Sequence, residues 1–358
     1  GQSTIIRNGY HKKRPLTVGS GTVQVKVPRS RDKSHQGISF TSAIVPRYMR
    51  RSLKIDEAIP LLYLLGISTN NMSDALEKLL GPDVTGLSST NISRLKSSWS
   101  QEYDRWKMRD LSGKDYCYLW ADGIHFNIRH DDSRLCVLVL VGALSNGHKE
   151  LIAVESGYRE SSESWSMLLR DIRDRDMLPA KLLIGDGALG LWKAAKEIYP
   201  ETKWQRCWVH KTANILDKMP KGVQPKAKNM LHDIYQAESK RDAKKAYKLF
   251  QSRYSSKYPK AVECLTKDED SLFTFYSFPA EQWQHIRSTN VIESTFATIR
   301  NRTKSTRGHG TIETTLMMVY KLLERASMRW YKLRGYRLIE KVMKNVQFVD
   351  GMEIKNAA

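Results

Sequence analysis

Cysteine is scarce in this sequence: Cys117, Cys136, Cys207 and Cys264 are scattered over 358 positions. That is too few for a disulfide framework and points to a reducing compartment. Long apolar runs are also lacking. The longest, residues 135–144, is too short to span a bilayer and reads as a buried strand. The first residues contain no signal-peptide core, so a cytoplasmic protein without a membrane partner is expected. Acids are in deficit: 38 Asp and Glu face 59 Lys and Arg, a formal net charge of +21. Such an excess draws polyanions, nucleic acid above all. Hydrophobic content of 41% still suffices for a full core within two or three domains.

The charge is uneven. Residues 1–50 carry ten Lys and Arg against one acid, Asp32; residues 285–345 carry thirteen against four; residues 111–200 are near neutral. Basic ends around a neutral middle suit a nucleic-acid clamp around a catalytic core. Six regions follow. Residues 1–52 read as a basic extended arm with a hairpin around Gly19-Ser20-Gly21, its second strand ended by Pro28. Residues 53–110 read as helices, a pair of which suits a helix-turn-helix, with Pro60 expected to kink or end the first. Residues 111–210 alternate as strands 116–129, 134–144 and 150–156, a helix from 161, strand 181–186, helix 191–199 and strand 203–207. That order predicts an α/β mixed sheet with helices packed on it, the RNase H-like arrangement. Residues 211–286 look like a helical insertion, residues 287–345 like the final helices of the core, and 346–358 like a tail.

Three carboxylates stand out. Asp122 lies in YCYLWADG, Asp186 in KLLIGDG and Glu293 in STNVIESTFATIRNR. Each Asp ends an apolar run before glycine, which by itself could be a tight turn. Asp122 fits a turn less well, because alternation continues through Ile124 and Phe126. An acid inside a strand needs a metal or a partner to offset its burial, and Gly123 would let a backbone approach. Asn290 and Glu293 could form a capping box. Against that stand Arg287, Arg300, Arg302, Lys304 and Arg307, cations that suit a phosphate-binding helix carrying one metal ligand. Acids held in apolar or basic surroundings of a cationic chain are explained by Mg²⁺-assisted cutting or joining of nucleic acid.

WQRCWVH places Cys207 three residues before His210. Zinc would need a second ligand pair; His210 could instead orient DNA or a site carboxylate, or both residues could simply pack. Trp283 is the best of the tryptophans for stacking on a base.

Taken together, RNGYHKKRPLTVGSGTVQVKVPRSRD, ADGIHFNIR, LLIGDGALGLWKAAKEIYP, QRCWVHKTANILDKMP and IRSTNVIESTFATIRNRTKSTRG resemble, in order, the Mutator-type transposases of bacterial insertion sequences. The resemblance implies a DDE active site on an RNase H-like core with a helical insertion. Carried over residue by residue, the triad is Asp122, Asp186 and Glu293, which would hold Mg²⁺ with Mn²⁺ as substitute. Cys207 and His210 match the family's paired signature. The implied partners are double-stranded DNA, as terminal inverted repeats and target, and a second copy in a homodimer; the implied place is the bacterial nucleoid. The alternative is a transposase-derived, sequence-specific DNA-binding protein without catalysis.

Overall fold

In a computed structural model the chain divides into two compact units, Gly1–Trp99 and Ser100–Ala358. The described residues are 5–34, 36, 42–46, 48–67, 69–81, 89–127, 134–157, 159–306 and 311–354.

In the first unit β1 (Ile5–Tyr10) pairs antiparallel with β4 (Pro28–Asp32), and β2 (Arg14–Val18) with β3 (Gly21–Val25). The β2–β3 hairpin turns at residues 19–20, as the glycines suggest, with Gly21 at φ +113°. Pro28 opens a strand rather than closing one, and β4 is read poorly from sequence because PRSRD has no apolar alternation. Helix α1 (Leu53–Leu65) runs through Pro60 instead of ending there; it buries Ile55, Ile59, Tyr63 and Leu64. That burial offsets the backbone bond that proline cannot donate. Helix α2 (Thr69–Leu80) follows, then α3 (Ser89–Lys107), along which the boundary between the units falls.

The second unit is built on a five-stranded sheet of order β7-β6-β5-β8-β9. Strands β5 (Tyr116–Asn127), β6 (Arg134–Leu144) and β7 (Lys149–Gly157) form an antiparallel meander. After α4 (Ser162–Asp174), β8 (Leu182–Gly185) returns parallel to β5; after α5 (Leu189–Ile198), β9 (Lys203–Arg206) lies parallel to β8. Helices α4 and α5 cover one face: Trp165, Leu168, Leu169 and Ile172 of α4 meet Leu191, Ala194, Ala195 and Ile198 of α5 over Leu119, Ala121 and Leu183. The spacing of these residues on each helix explains why the helices form here, since it gathers the apolar groups on one stripe.

Beyond β9 the chain is helical: α6 (Trp208–Leu216), α7 (Gln224–Gln236), α8 (Lys240–Tyr254), α9 (Pro259–Thr266), α10 (Glu269–Leu272) and α11 (Trp283–Ile286). This stretch rejoins the sheet through polar bonds. Tyr118 of β5 bonds the Gln282 side chain, and Trp120 Nε1 donates to the His285 carbonyl at 2.9 Å. Helices α12 (Asn290–Thr306), α13 (Ile312–Ser327) and α14 (Ile339–Met343) and the short pair β10 (Phe348–Val349) and β11 (Met352–Glu353) complete the unit. Among the described residues no helix is long and apolar enough to cross a membrane.

Candidate active site

Asp122 sits inside β5, bonded in register to β6 opposite Val139, so it belongs to no tight turn. It is 6% exposed. Its Oδ1 accepts the Gly123 N–H at 2.8 Å. Asp186 directly follows β8, the strand parallel to β5, so the sheet itself brings the two acids side by side. Here the sequence's turn signal is also correct: Asp186 Oδ1 accepts the Ala188 N–H at 2.9 Å, and Gly187 has φ +84°. Gly187 is required by space as well as by angle, because a Cβ there would lie 1.8 Å from Arg206 Nη1.

A third carboxylate joins them, and it is one that sequence reasoning did not single out. Oxygens of Asp122, Glu160 and Asp186 all lie within 4.8 Å of one another. Glu160 precedes α4 and reaches over Gly123, where a Cβ would come 2.6 Å from its Oε1. The space above Gly123 therefore admits a carboxylate, not the backbone expected from sequence. Glu160 also faces His125, 3.6 Å away, and Cys136.

Glu293 sits four residues into α12 from Thr289, whose carbonyl accepts its N–H at 3.1 Å. Asn290 is thus the first helical residue and not the cap, and the capping-box reading does not hold. Instead Glu293 Oε1 meets His210 Nε2 at 3.2 Å and Thr289 Oγ1 at 3.1 Å. Cys207, fully buried, accepts from Thr289 N and faces Thr289 Oγ1, both at 3.3 Å. Ligand atoms of Cys207, His210 and Glu293 lie within 4.8 Å of each other. The C-x-x-H signature therefore brackets Glu293, with Cys207 as the N-cap of α6 just after β9 and His210 in the first turn of α6.

The two clusters feel each other. Burial, opposed by His210 and reinforced by Asp186 and Glu293, pushes the Asp122 carboxyl up to about 7. Burial together with Asp186 and Asp122 pushes Glu160 up to about 8. The nearby Cys207 sulfur, against the effect of burial and with help from Asp122 and Glu293, raises His210 to about 9. Burial favours the neutral Cys207 thiol, but His210 and Thr289 outweigh it and the thiol is lowered.

The donor set fits a hard divalent cation. It is oxygen-only at Asp122, Glu160 and Asp186, and Glu160 Oε2 is buried without a hydrogen-bond partner among the described residues. The folded state retains protons that an unfolded chain releases near pH 4, so the stability these acids contribute is present in acid. It is lost as pH rises through about 7 to 8. A cation bound at these oxygens would take the place of those protons. Affinity for Mg²⁺ or Mn²⁺ is therefore expected to rise between about pH 6 and pH 8 with proton release. Calorimetry in two buffers of different ionisation enthalpy measures this, and a pH-independent affinity would contradict it.

The cations expected near the helix are placed differently. Arg287 donates to the Tyr235 carbonyl at 2.8 Å and lies over the Tyr235 ring, tying α11 to α7. Arg300 is exposed on α12, over Phe296. Arg302 is buried at 6% exposure, so its expected role as a surface phosphate contact is corrected. The Lys304 side chain and Arg307 lie outside the described residues. Asn290 is exposed at the start of α12.

Trp283 requires the clearest correction. It is 9% exposed, its Nε1 donates to the Phe278 carbonyl at 2.8 Å, and it packs edge-on against Phe275 and Tyr276. A ring enclosed this way packs the core and offers no face to a base. Trp283→Ala is expected to cost about 3–5 kcal/mol of stability while leaving DNA affinity of the folded protein unchanged. Chemical denaturation and a binding titration below the transition check this together.

With this geometry in place, comparison with known proteins defines the class. The chain belongs to the Mutator family of transposases, whose family model matches residues 1–332. It is 48% identical over 297 residues to the transposase for insertion sequence element IS6120 of Mycolicibacterium smegmatis, covering 83% of this chain and 92% of that one. It is 45% identical over 289 residues to the transposase for IST2 of Acidithiobacillus ferrooxidans, covering 78% and 95%. The transposase for IS905 of Lactococcus lactis is 31% identical over 299 residues, covering 83% and 74%.

Proposed function

We propose that this chain is the transposase of a bacterial insertion sequence, cutting element ends and joining the freed 3′-OH to target DNA. The observation that carries the reading is the gathering of Asp122, Glu160 and Asp186 oxygens within 4.8 Å of one another at the adjacent strands β5 and β8, with Glu293 held against His210. The sheet order, three antiparallel strands and two parallel ones, supports an RNase H-like core. On that reading residues 211–286 are an insertion between β9 and the last helices, and the first unit supplies DNA-binding surfaces.

Asp122, Asp186 and Glu160 would hold Mg²⁺, or Mn²⁺ in its place, with Glu293 completing the set. When bound, the cation neutralises charge on the phosphodiester and polarises the attacking oxygen. The protein's own contribution is to position the acids. The β-ladder fixes Asp122, the Ala188 N–H orients Asp186, and His210 and Thr289 hold Glu293 at its carboxylate. His210, charged at neutral pH, offsets part of the acid cluster before substrate arrives. Lys and Arg side chains, in surplus over the whole chain, would engage the phosphates of the terminal inverted repeats and the target. Two ends must be joined, so a homodimer is the least complicated assembly.

The test is incubation of labelled element-end DNA and a target plasmid in Mg²⁺, in Ca²⁺ and in chelator. Cleavage and joining in Mg²⁺ alone support the reading. Sequence-specific binding with no cleavage in any metal would favour the non-catalytic alternative.

A further inference from the structure

Residues 328–337 read MRWYKLRGYR: four Lys and Arg, three aromatics and no acid. The segment follows α13 and has no regular structure until the short 3-10 turn Tyr336–Leu338, yet it is firmly tied down. Trp330 Nε1 donates to Thr295 Oγ1 at 3.2 Å, two residues along α12 from Glu293. Lys149 Nζ donates to the Tyr331 carbonyl at 2.5 Å, and Leu333 N to the Gly147 carbonyl at 2.9 Å. Arg334 N donates to His285 Nε2 at 3.3 Å, and Gln282 Nε2 to the Gly335 carbonyl at 2.9 Å. Tyr336 rests on Gly147, where a Cβ would come within 2.3 Å.

These bonds turn Leu333 inward and leave Tyr331 88% exposed. Arg329, Lys332, Arg334 and Arg337 are exposed around it. A lone exposed aromatic on a protein surface needs no explanation. This one is carried on a backbone pinned on both sides, among four exposed cations, with Glu281 the acid packed against Gly335 at the far end of the segment. An exposed ring carried beside guanidinium and ammonium groups, with Lys332 Nζ itself resting over the Tyr336 ring, can stack on a base while the cations take phosphates. Duplex DNA hides base faces inside its stack, so such a ring selects an unpaired strand.

We propose that residues 328–337 form a binding surface for single-stranded DNA, with Tyr331 stacking on a base and Arg329, Lys332 and Arg334 contacting phosphates. The proposal rests on the transposase reading only for the source of the strand: a flank unpaired near the cut, leaving the site over α12.

The test uses the full chain in chelator, where no cleavage intervenes. Fluorescence anisotropy compares an oligothymidine of about twelve nucleotides with a duplex of similar length. Tyr331→Ala should weaken oligothymidine binding about five- to tenfold and duplex binding less than about twofold; Tyr331→Phe should restore it. Arg329→Gln with Arg334→Gln should reduce the salt slope for oligothymidine by about 1.4, or about 0.7 per lost phosphate contact. Wild-type oligothymidine binding in Tyr331→Ala overturns the proposal, as does an equal loss on both probes. Failure of the wild-type chain to cleave element-end DNA in Mg²⁺ would overturn the transposase reading instead, leaving the anisotropy result to stand by itself.

Discussion

Asp186→Asn is expected to lower cleavage and joining of element-end DNA by at least about a thousandfold, equivalent to ~4 kcal/mol of barrier. Affinity for the same DNA should stay within about threefold, because phosphate contacts supply most of it. Asparagine preserves the shape of the turn and can still accept the Ala188 N–H, so folding is not at stake. What is lost is the negative charge closest to Asp122 and Glu160. Gel assays for cleavage and a filter-binding titration separate the two effects. Retained cleavage would remove Asp186 from the site, and lost binding would show that the acid helps assemble the DNA complex.

Glu160→Gln should have effects of opposite sign on the protein without metal and on the protein with it. In the metal-free state Glu160 adds a third carboxylate to a buried cluster, with one oxygen that no donor meets. An amide is neutral without the proton that the Glu160 carboxyl must take up on folding, and it can donate to Asp122 or Asp186. The metal-free variant is therefore expected to gain about 1–3 kcal/mol, a rise in melting temperature of about 2–4 °C per kcal/mol. The stabilisation that Mg²⁺ or Mn²⁺ confers on the wild type should shrink sharply, because one charged ligand is gone. Thermal melts with and without metal measure both. If the variant melts lower than wild type in chelator and responds fully to metal, Glu160 is a packing residue and the cation is held elsewhere.

Legibility from sequence followed the strength of the local signal. Strands β5 to β9 fall within one or two residues of the expected ranges because runs such as LCVLVLVGAL allow few other environments. Asp122 and Asp186 were legible for the same reason: each interrupts an apolar run that fixes where it must lie. Glu160 was not. It sits in a connection, in the string RESSES, where an acid before a helix is unremarkable and no periodicity marks which way it points. Only the crossing from β7 to α4 brings it over Gly123. Trp283 failed in the opposite direction. Its place shortly before the helix of Glu293 suggested a base-stacking role, but packing against Phe275 and Tyr276 depends on contacts within the helical stretch that composition does not announce. Strands β1 and β4 were missed where side chains are mostly exposed and no buried face imposes alternation.

The placement of the acids also divides the site into a fixed jaw and an adjustable one. Asp122 is paired with Val139 of β6 and directly follows Ala121, the last residue of β5 paired with β8, so it cannot shift without tearing the sheet. Asp186 follows by a single residue from the end of β8, also paired on both sides, by β5 and β9. Glu293 is held by side-chain contacts to His210 and Thr289, which can break one at a time at small cost. Cutting and joining present the same acids with two differently placed phosphates. On the proposed function, the sheet acts as the anvil for both, and the accommodation between them falls to the first turn of α12.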